Sequence, residues 1–487
     1  MSSSLLEQFL QTAVRYVWNP GLLLVFLLFG LYLTIGTRFF QFRRFGTIWR
    51  NTMGGIFRKR RTTGPGILTS FQAWAAAAGS AIGMGNIAGV ASAVAYGGPG
   101  ALLWMWIAAL VMMATKMGEV TLAVHFREQL PDGKTYGGPT YYMQKGLGHL
   151  YQWPSWIWKG LAGIFIAGFL VMMFIGMASY TIQETFQATF NTTPWQTIIF
   201  GIIYTAMVYA VILGGIKRVG KVAEYMLPAM ALMYILGGLV IIFADISQIG
   251  KAFLLIFKYA FTSQAAVGGV GGYTVMRAIQ QGVAKGVYSN EAGWGTSPML
   301  HATARVDHPV RQGMWGAFEV FLDTVVICTI TGLVVIITGI WEGSGGGGGA
   351  VALAFESVFG DFGKYFVFLA MFAFVFTTST GWYSYYETLL IHLFKNKSHK
   401  TILKAVKTLQ VILPLPTFLL AAGGILIGVV PKYFWLLGDL SSGLSVYANL
   451  ITLILLSPLI FKLVKEFEKK YLNGKTKKQE KDPLPQR

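Results

Sequence analysis

Apolar runs long enough to cross a bilayer recur along the whole chain, and no other feature limits its fold so sharply. Eleven can be drawn, at 19–37, 70–95, 100–124, 158–186, 195–216, 223–245, 262–283, 311–340, 362–392, 403–429 and 434–462. A helix needs about 20 apolar residues to span the hydrocarbon core. Lipid offers no hydrogen bonds, so a segment at that depth must satisfy its own backbone, and runs of this length read as helices. Only 12% of the residues are charged, against about 25% in soluble domains. The predicted class is an all-α polytopic membrane protein with eleven transmembrane helices, its lipid bilayer the solvent for most of the chain.

Two of these runs are interrupted by glycine. Residues 70–96 read SFQAWAAAAGSAIGMGNIAGVASAVAY, with Gly79, Gly83, Gly85 and Gly89 at the centre. Glycine inside a helix costs about 0.5–1 kcal/mol relative to alanine. Backbone freed at that depth must line a cavity or meet a ligand. Close packing through small residues is the alternative reading. The run 261–276, FTSQAAVGGVGGYTVM, carries Gly268, Gly269, Gly271 and Gly272. With the first run set aside as peripheral, each interruption falls in the leading segment of a five-segment half. Paired interruptions in matching places point to the central site of a secondary transporter.

Basic residues set the orientation. About 33 of the 39 Lys and Arg fall on one side of an eleven-span topology, which makes that side cytoplasmic. The N-terminus is then outside and the C-terminus inside, in the cell membrane. The domains expected are 1–69 (peripheral helix and basic loop), 70–245 and 246–462 (two five-helix repeats) and 463–487 (basic tail). The net charge of +19 is thereby a topology signal and an attraction to anionic lipid, with no nucleic-acid partner implied.

Charges within spans mark function by default. Lys116 and Glu119, at i,i+3 on the third span, are expected to face one another as an internal ion pair. Glu184, Asp323, Asp439 and Asn449 read as buried hydrogen-bonding groups. The six histidines are scattered, and no metal-ligand spacing, nucleophile motif or phosphate-binding loop appears. An enzyme is not indicated. In the ninth span TTSTGW offers the hydroxyls of Thr377 and Thr378, oxygen ligands of the kind hard cations take, though back-bonding to the helix explains such residues equally well.

The stretches AIGMGNIAGVASAVAYGGPGALLWMW (81–106), GGPTYYMQKGLG (137–148), GVYSNEAGWGTSPMLHATARVDHPVRQGM (286–314), FLDTVVICTITG (321–332) and TTSTGWYSYYE (377–387) closely resemble the alanine/glycine:cation symporter family, from about residue 19 to 460. The resemblance implies sodium-coupled carriage of a small neutral amino acid. It implies a LeuT-type plan of two inverted five-helix repeats, spans two to six and seven to eleven, plus one extra N-terminal helix. The substrate carboxylate would sit at Gly83, Met84 and Gly85, and the ammonium at carbonyls of Val267, Gly268 and Gly269. Asn86, Phe174, Gln183 and Trp382 would complete the pocket. Sodium, the coupling ion, would lie between Gly79, Ile82, Thr377 and Thr378. Asn290 and Glu291, in the SNEAG motif, would be structural or gating residues beyond the central pocket.

Two positions depart from the family pattern. Met84 stands where most of the family has Thr, and Tyr180 falls where a Gln is usual, with Gln183 one turn later. Both bear on which amino acid is carried. Proton coupling, through Glu184 or Asp323, is the runner-up within transporters. A channel would need a continuous lined pore, whereas two interruptions meeting at a point enclose a site.

Overall fold

The computed structural model describes residues 5–56, 64–175, 177–262, 274–343, 345–427 and 432–472. Many helix starts carry their own sequence signal. Asn19 accepts the Leu22 amide ahead of a helix opened by Pro20, and Thr69 with Gln72, and Thr193 with Gln196, form reciprocal caps. Such caps satisfy amides that a helix start leaves without partners.

Nine helices among the described residues are long and apolar enough to cross a membrane, and ten if the bent pair Ser70–Ala81 and Gly85–Gly97 is one span. The expected count of eleven is not confirmed. The difference lies at 262–283, which the described residues cover only in part. Helix Ser247–Phe261 ends where the run should begin, and residues 263–273 lie outside the described set. Helix Val275–Asn290 then starts at Thr274, whose hydroxyl accepts the Arg277 amide. Elsewhere the expected runs hold with shifted ends: Pro309–Ile337, Asp361–Phe394 and a helix Lys432–Phe467 that carries Pro458.

Burial separates inner from lipid-facing helices. The apolar window of Ala101–His125 is 83% buried, that of His399–Ile427 28%. Leu232, Leu236, Val240 and Phe243 are exposed along helix Gly215–Ala244, as a lipid-facing stripe would be. Apolar burial drives little association inside lipid, so inner helices pack through small residues. At Gly316 a methyl would lie 2.8 Å from Val120 Cγ2 and 3.0 Å from the Lys116 carbonyl, so glycine is what lets Pro309–Val320 approach the central helix.

The connection 126–154 is structured. A two-stranded antiparallel hairpin pairs Glu128–Gln129 with Thr135–Tyr136, and a helix from Pro139 runs on to Leu150. A parallel bridge joins Leu68 to Ala304, with the Ile67 amide on the Thr303 carbonyl at 2.7 Å and the Arg305 amide on the Leu68 carbonyl at 2.9 Å. It ties the start of the bent pair to the segment following Ser297–His301.

Candidate functional site

The first interruption falls where the glycines place it. Helix Ser70–Ala81 stops, Ile82 takes an extended conformation, and a helix resumes at Gly85 with a 51° change of direction. Asn86 bridges the gap from behind. Its Oδ1 accepts the Gly83 amide at 2.9 Å and its Nδ2 donates to Asp323 Oδ1 at 2.6 Å. The resuming helix still presents first-turn amides without intrahelical acceptors, at its positive dipole end. Opposite, Gly79 and Gly83 let helix Asp361–Phe394 come close. A methyl at Gly79 would lie 3.3 Å from Thr377 Cβ, and one at Gly83 3.0 Å from Thr378 Oγ1.

The glycine run 268–272, where the second interruption was expected, lies outside the described residues. A second interruption among the described residues lies some twenty residues later, in the SNEAG motif. Helix Val275–Asn290 ends at Glu291, which is left-handed at φ 52°, and Gly293 and Gly295 follow at φ 87° and 82° before helix Ser297–His301. The two interruptions touch. A methyl at Gly85 would lie 3.1 Å from Ser289 Cα, and Ser289 Oγ donates to Asp323 Oδ2 at 2.8 Å, on the carboxylate that also holds Asn86. Glu291 is therefore not beyond the central pocket but at its wall. Val267, Gly268 and Gly269, the expected ammonium site, lie outside the described residues.

Lys116 and Glu119 do not pair with each other as their spacing suggested; both turn to the unwound segment. Glu119 accepts the Gly293 amide at 2.9 Å and the Gly295 amide at 3.0 Å, plus Asn449 Nδ2 at 2.7 Å. Asn449 Nδ2 also reaches the Gly293 carbonyl at 2.8 Å, and Tyr142 donates to Asn449 Oδ1. Lys116 Nζ donates to the Glu291 carbonyl at 3.1 Å and Ser297 Oγ at 2.7 Å, and pairs with Glu319 at 3.4 Å. Glu319 meets His301 Nε2 at 2.8 Å, and Gln312 Nε2 reaches both His301 Nδ1 at 2.8 Å and the Ser70 carbonyl at 3.2 Å. All of Lys116, Glu119, Glu319 and His301 are fully buried. This network supplies, from other helices, the partners that the second interruption cannot find in its own.

Between the interruptions lies a cavity of about 180 Å³. The first interruption contributes Ser80, Ala81, Gly83, Met84 and Gly85, the second Tyr288, Glu291 and Trp294. Thr378, Ser379 and Trp382 come from helix Asp361–Phe394, with Met172, Met173, Met177 and Ser179 opposite. Of the expected site residues, Gly83, Met84, Gly85, Thr378 and Trp382 line it. Gly79, Ile82, Asn86 and Thr377 are buried just behind. Gln183 is turned away: its Nε2 returns to the Ser179 carbonyl at 3.2 Å and it packs against Gly201. Phe174 is in helix Ser155–Ile175, its side chain outside the described set. Sequence reasoning placed Glu291 outside the pocket and missed Trp294 and Tyr288, because a polar N–E pair reads as a loop. The αL-permissive Gly-Trp-Gly was the available signal.

Among the described residues no cluster of His, Cys, Asp and Glu could hold a metal ion. The cavity instead offers amides and a helix N-terminus at one interruption, a carboxylate at the other, and hydroxyls beside the first. Such a set of donors and acceptors is complementary to a small solute that carries both charges.

Comparison with known proteins identifies the family. The profile of the sodium:alanine symporter family matches residues 3–481. The sodium/alanine symporter AgcS of Methanococcus maripaludis is 33% identical over 464 residues, covering 94% of this chain and 96% of its own. The probable sodium/glutamine symporter GlnT of Bacillus subtilis is 34% identical over 475 residues, covering 97% and 92%. Among solved structures, that of MhsT in complex with L-phenylalanine superposes with a TM-score of 0.55 at 14% identity, over 82% of this chain and 99% of that one. The chain thus belongs to the sodium:alanine symporter family, the sodium-coupled amino-acid carriers of the membrane, and has their LeuT-like fold.

Proposed function

We propose that this protein imports a neutral amino acid, alanine among those it accepts, together with sodium by alternating access. The observation that carries the reading is the meeting of the two interruptions around one cavity. The substrate carboxylate lies at the Met84 and Gly85 amides, where the resuming helix presents its positive end. The ammonium lies toward Glu291 and the C-terminal carbonyls of Val275–Asn290, the negative end of that helix. This replaces the expected ammonium contact at residues 267–269.

Sodium lies between the Gly79 and Ile82 carbonyls and the hydroxyls of Thr377 and Thr378. Two features support this placement. The Gly79 and Gly83 contacts bring both threonines against the first interruption, and the C-terminal end of Ser70–Ala81 favours a cation there. Thr378 Oγ1 donates to the Phe374 carbonyl at 3.0 Å, which leaves its lone pairs free to accept a cation. The orientation, N-terminus outside and C-terminus cytoplasmic, rests on the basic-residue bias.

The test is uptake of labelled alanine by proteoliposomes holding the purified protein, with an inward gradient of sodium or of choline at fixed pH. Saturable, sodium-dependent accumulation is expected. Equal uptake in choline that follows a pH gradient would favour proton coupling instead.

A further inference from the structure

We infer that the side-chain end of the cavity is built for an apolar side chain longer than alanine's, and that Met84, Met172, Met173 and Met177 set this preference. The inference rests on the proposed transport reading and names the substrate class of the same site. Four methionines line one cavity: Met84 at the first interruption, Met172 and Met173 in helix Ser155–Ile175 and Met177 at the start of helix Met177–Phe190. Each remains partly exposed to it instead of being closed into the core. Unbranched thioethers with several rotatable bonds repack around guests of different shape, which is why methionine recurs at adaptable binding surfaces.

The wall contributed by Trp382 is stiff. Its ring stacks on Phe169 with centroids 5.8 Å apart, and Phe169 is held by Phe165 at 4.8 Å and Tyr386 at 6.4 Å. The cavity is thus lined by one stiff aromatic ring and by thioethers that can repack. Size points the same way. A cavity of about 180 Å³ holds about six waters at liquid density, more space than the single methyl of alanine would fill.

The polar groups do not favour a polar side chain. Gln183 is directed at helix Pro194–Ile212, so the wall that carries Met172, Met173 and Met177 presents no side-chain amide, only the hydroxyl of Ser179. Glu291 and Asp439 are the only charged side chains among the described lining residues. A substrate carrying a side-chain carboxylate would meet two like charges and no cation. Hydroxyls such as those of Tyr204, Thr205, Ser379 and Ser442 also line the cavity, but the four thioethers favour a zwitterion with an unbranched or branched aliphatic tail, of the size of methionine or leucine. An apolar pocket rewards each added methylene by about tenfold.

Sodium-dependent currents from the purified protein on a solid-supported membrane test this, with glycine, alanine, leucine, methionine, lysine and glutamate each applied over a concentration series. Methionine and leucine are expected to show apparent KM values at least tenfold below that of alanine, with no current from glutamate. In Met84→Thr, and separately in Met173→Ala, that ratio is expected to fall at least fivefold while the sodium dependence is kept. Alanine and glycine currents without any from methionine or leucine would overturn this inference and leave the transport reading intact, as would a preference for lysine. No sodium-dependent current with any amino acid would overturn the transport reading beneath it.

Discussion

Glu119 and Gly293 are joined across the membrane interior, carboxylate Oε2 to backbone amide at 2.9 Å, and the second oxygen of the same carboxylate holds Gly295 at 3.0 Å. One side chain on a continuous helix thus stands in for the helical acceptors that the second interruption has lost. Glu119→Gln keeps the shape but presents an amide donor to one of the two glycine N–H groups. Leaving a buried donor unsatisfied costs about 1–3 kcal/mol. A lower melting temperature in detergent is expected together with a slower transport rate; unchanged values for both would mean that the unwound segment does not depend on this carboxylate.

Lys116 and Glu319 are buried partners at 3.4 Å. Removing one member of such a pair typically costs 3–5 kcal/mol, because the other charge remains buried alone, whereas replacing both is far milder. Lys116→Met and Glu319→Gln should each destabilise strongly, and the double variant should be more stable than Lys116→Met alone. Thermal unfolding of the four proteins gives the coupling directly. Additive losses would show that Lys116 acts only through the Glu291 carbonyl and Ser297.

Glu291 reaches the cavity because Asn290 ends its helix and Glu291 itself turns left-handed, with its carboxylate anchored by Thr296 Oγ1 at 2.6 Å. If it faces the substrate ammonium, Glu291→Gln loses a charge-assisted contact worth about 1.5–3 kcal/mol, which is roughly ten- to a hundredfold in KM. A turnover defect with unchanged KM would place the residue in gating instead.

Thr378 Oγ1 lines the cavity and lies 3.0 Å from where a Gly83 methyl would be. Thr378→Val keeps the shape and removes the oxygen. The sodium concentration for half-maximal uptake should rise about tenfold, with the amino-acid KM at saturating sodium little changed; the size of the shift follows from losing one charged hydrogen-bond-strength contact. Gly83→Ala should act on both, since its methyl presses on the threonine and narrows the approach to the Met84 amide. Sodium dependence unaltered in Thr378→Val would remove the hydroxyl from the ion site.

Sequence reading found the first interruption because its causes are local: four glycines, an asparagine that can cap the gap, and an apolar setting that makes any break conspicuous. The interruption at Glu291–Gly295 escaped because its causes are not local. Gly293 and Gly295 stand among Asn290, Glu291 and Thr296, a composition that lowers hydropathy and reads as a loop. Only Lys116, Glu119 and Asn449, distant in sequence, make that backbone tolerable inside the membrane. The same distance explains the Lys116–Glu119 spacing. At i,i+3 the two share a helix face, as expected, and what that face meets is set by tertiary packing. Gln183 was misjudged for a similar reason, since a residue one turn along the helix points at a different neighbour.

The account stands or falls on whether solute and ion occupy the space between the two interruptions. Cys328 is buried and is the single cysteine of the chain, so a Cys328→Ser background lets one thiol be placed on each interruption, Met84→Cys on the first and Trp294→Cys on the second. The rate of alkylation by a small maleimide is then measured with a transported amino acid in sodium and in potassium. Protection of both thiols by amino acid with sodium, and of neither with potassium, is the predicted result. Alkylation that is indifferent to amino acid at both positions would contradict it.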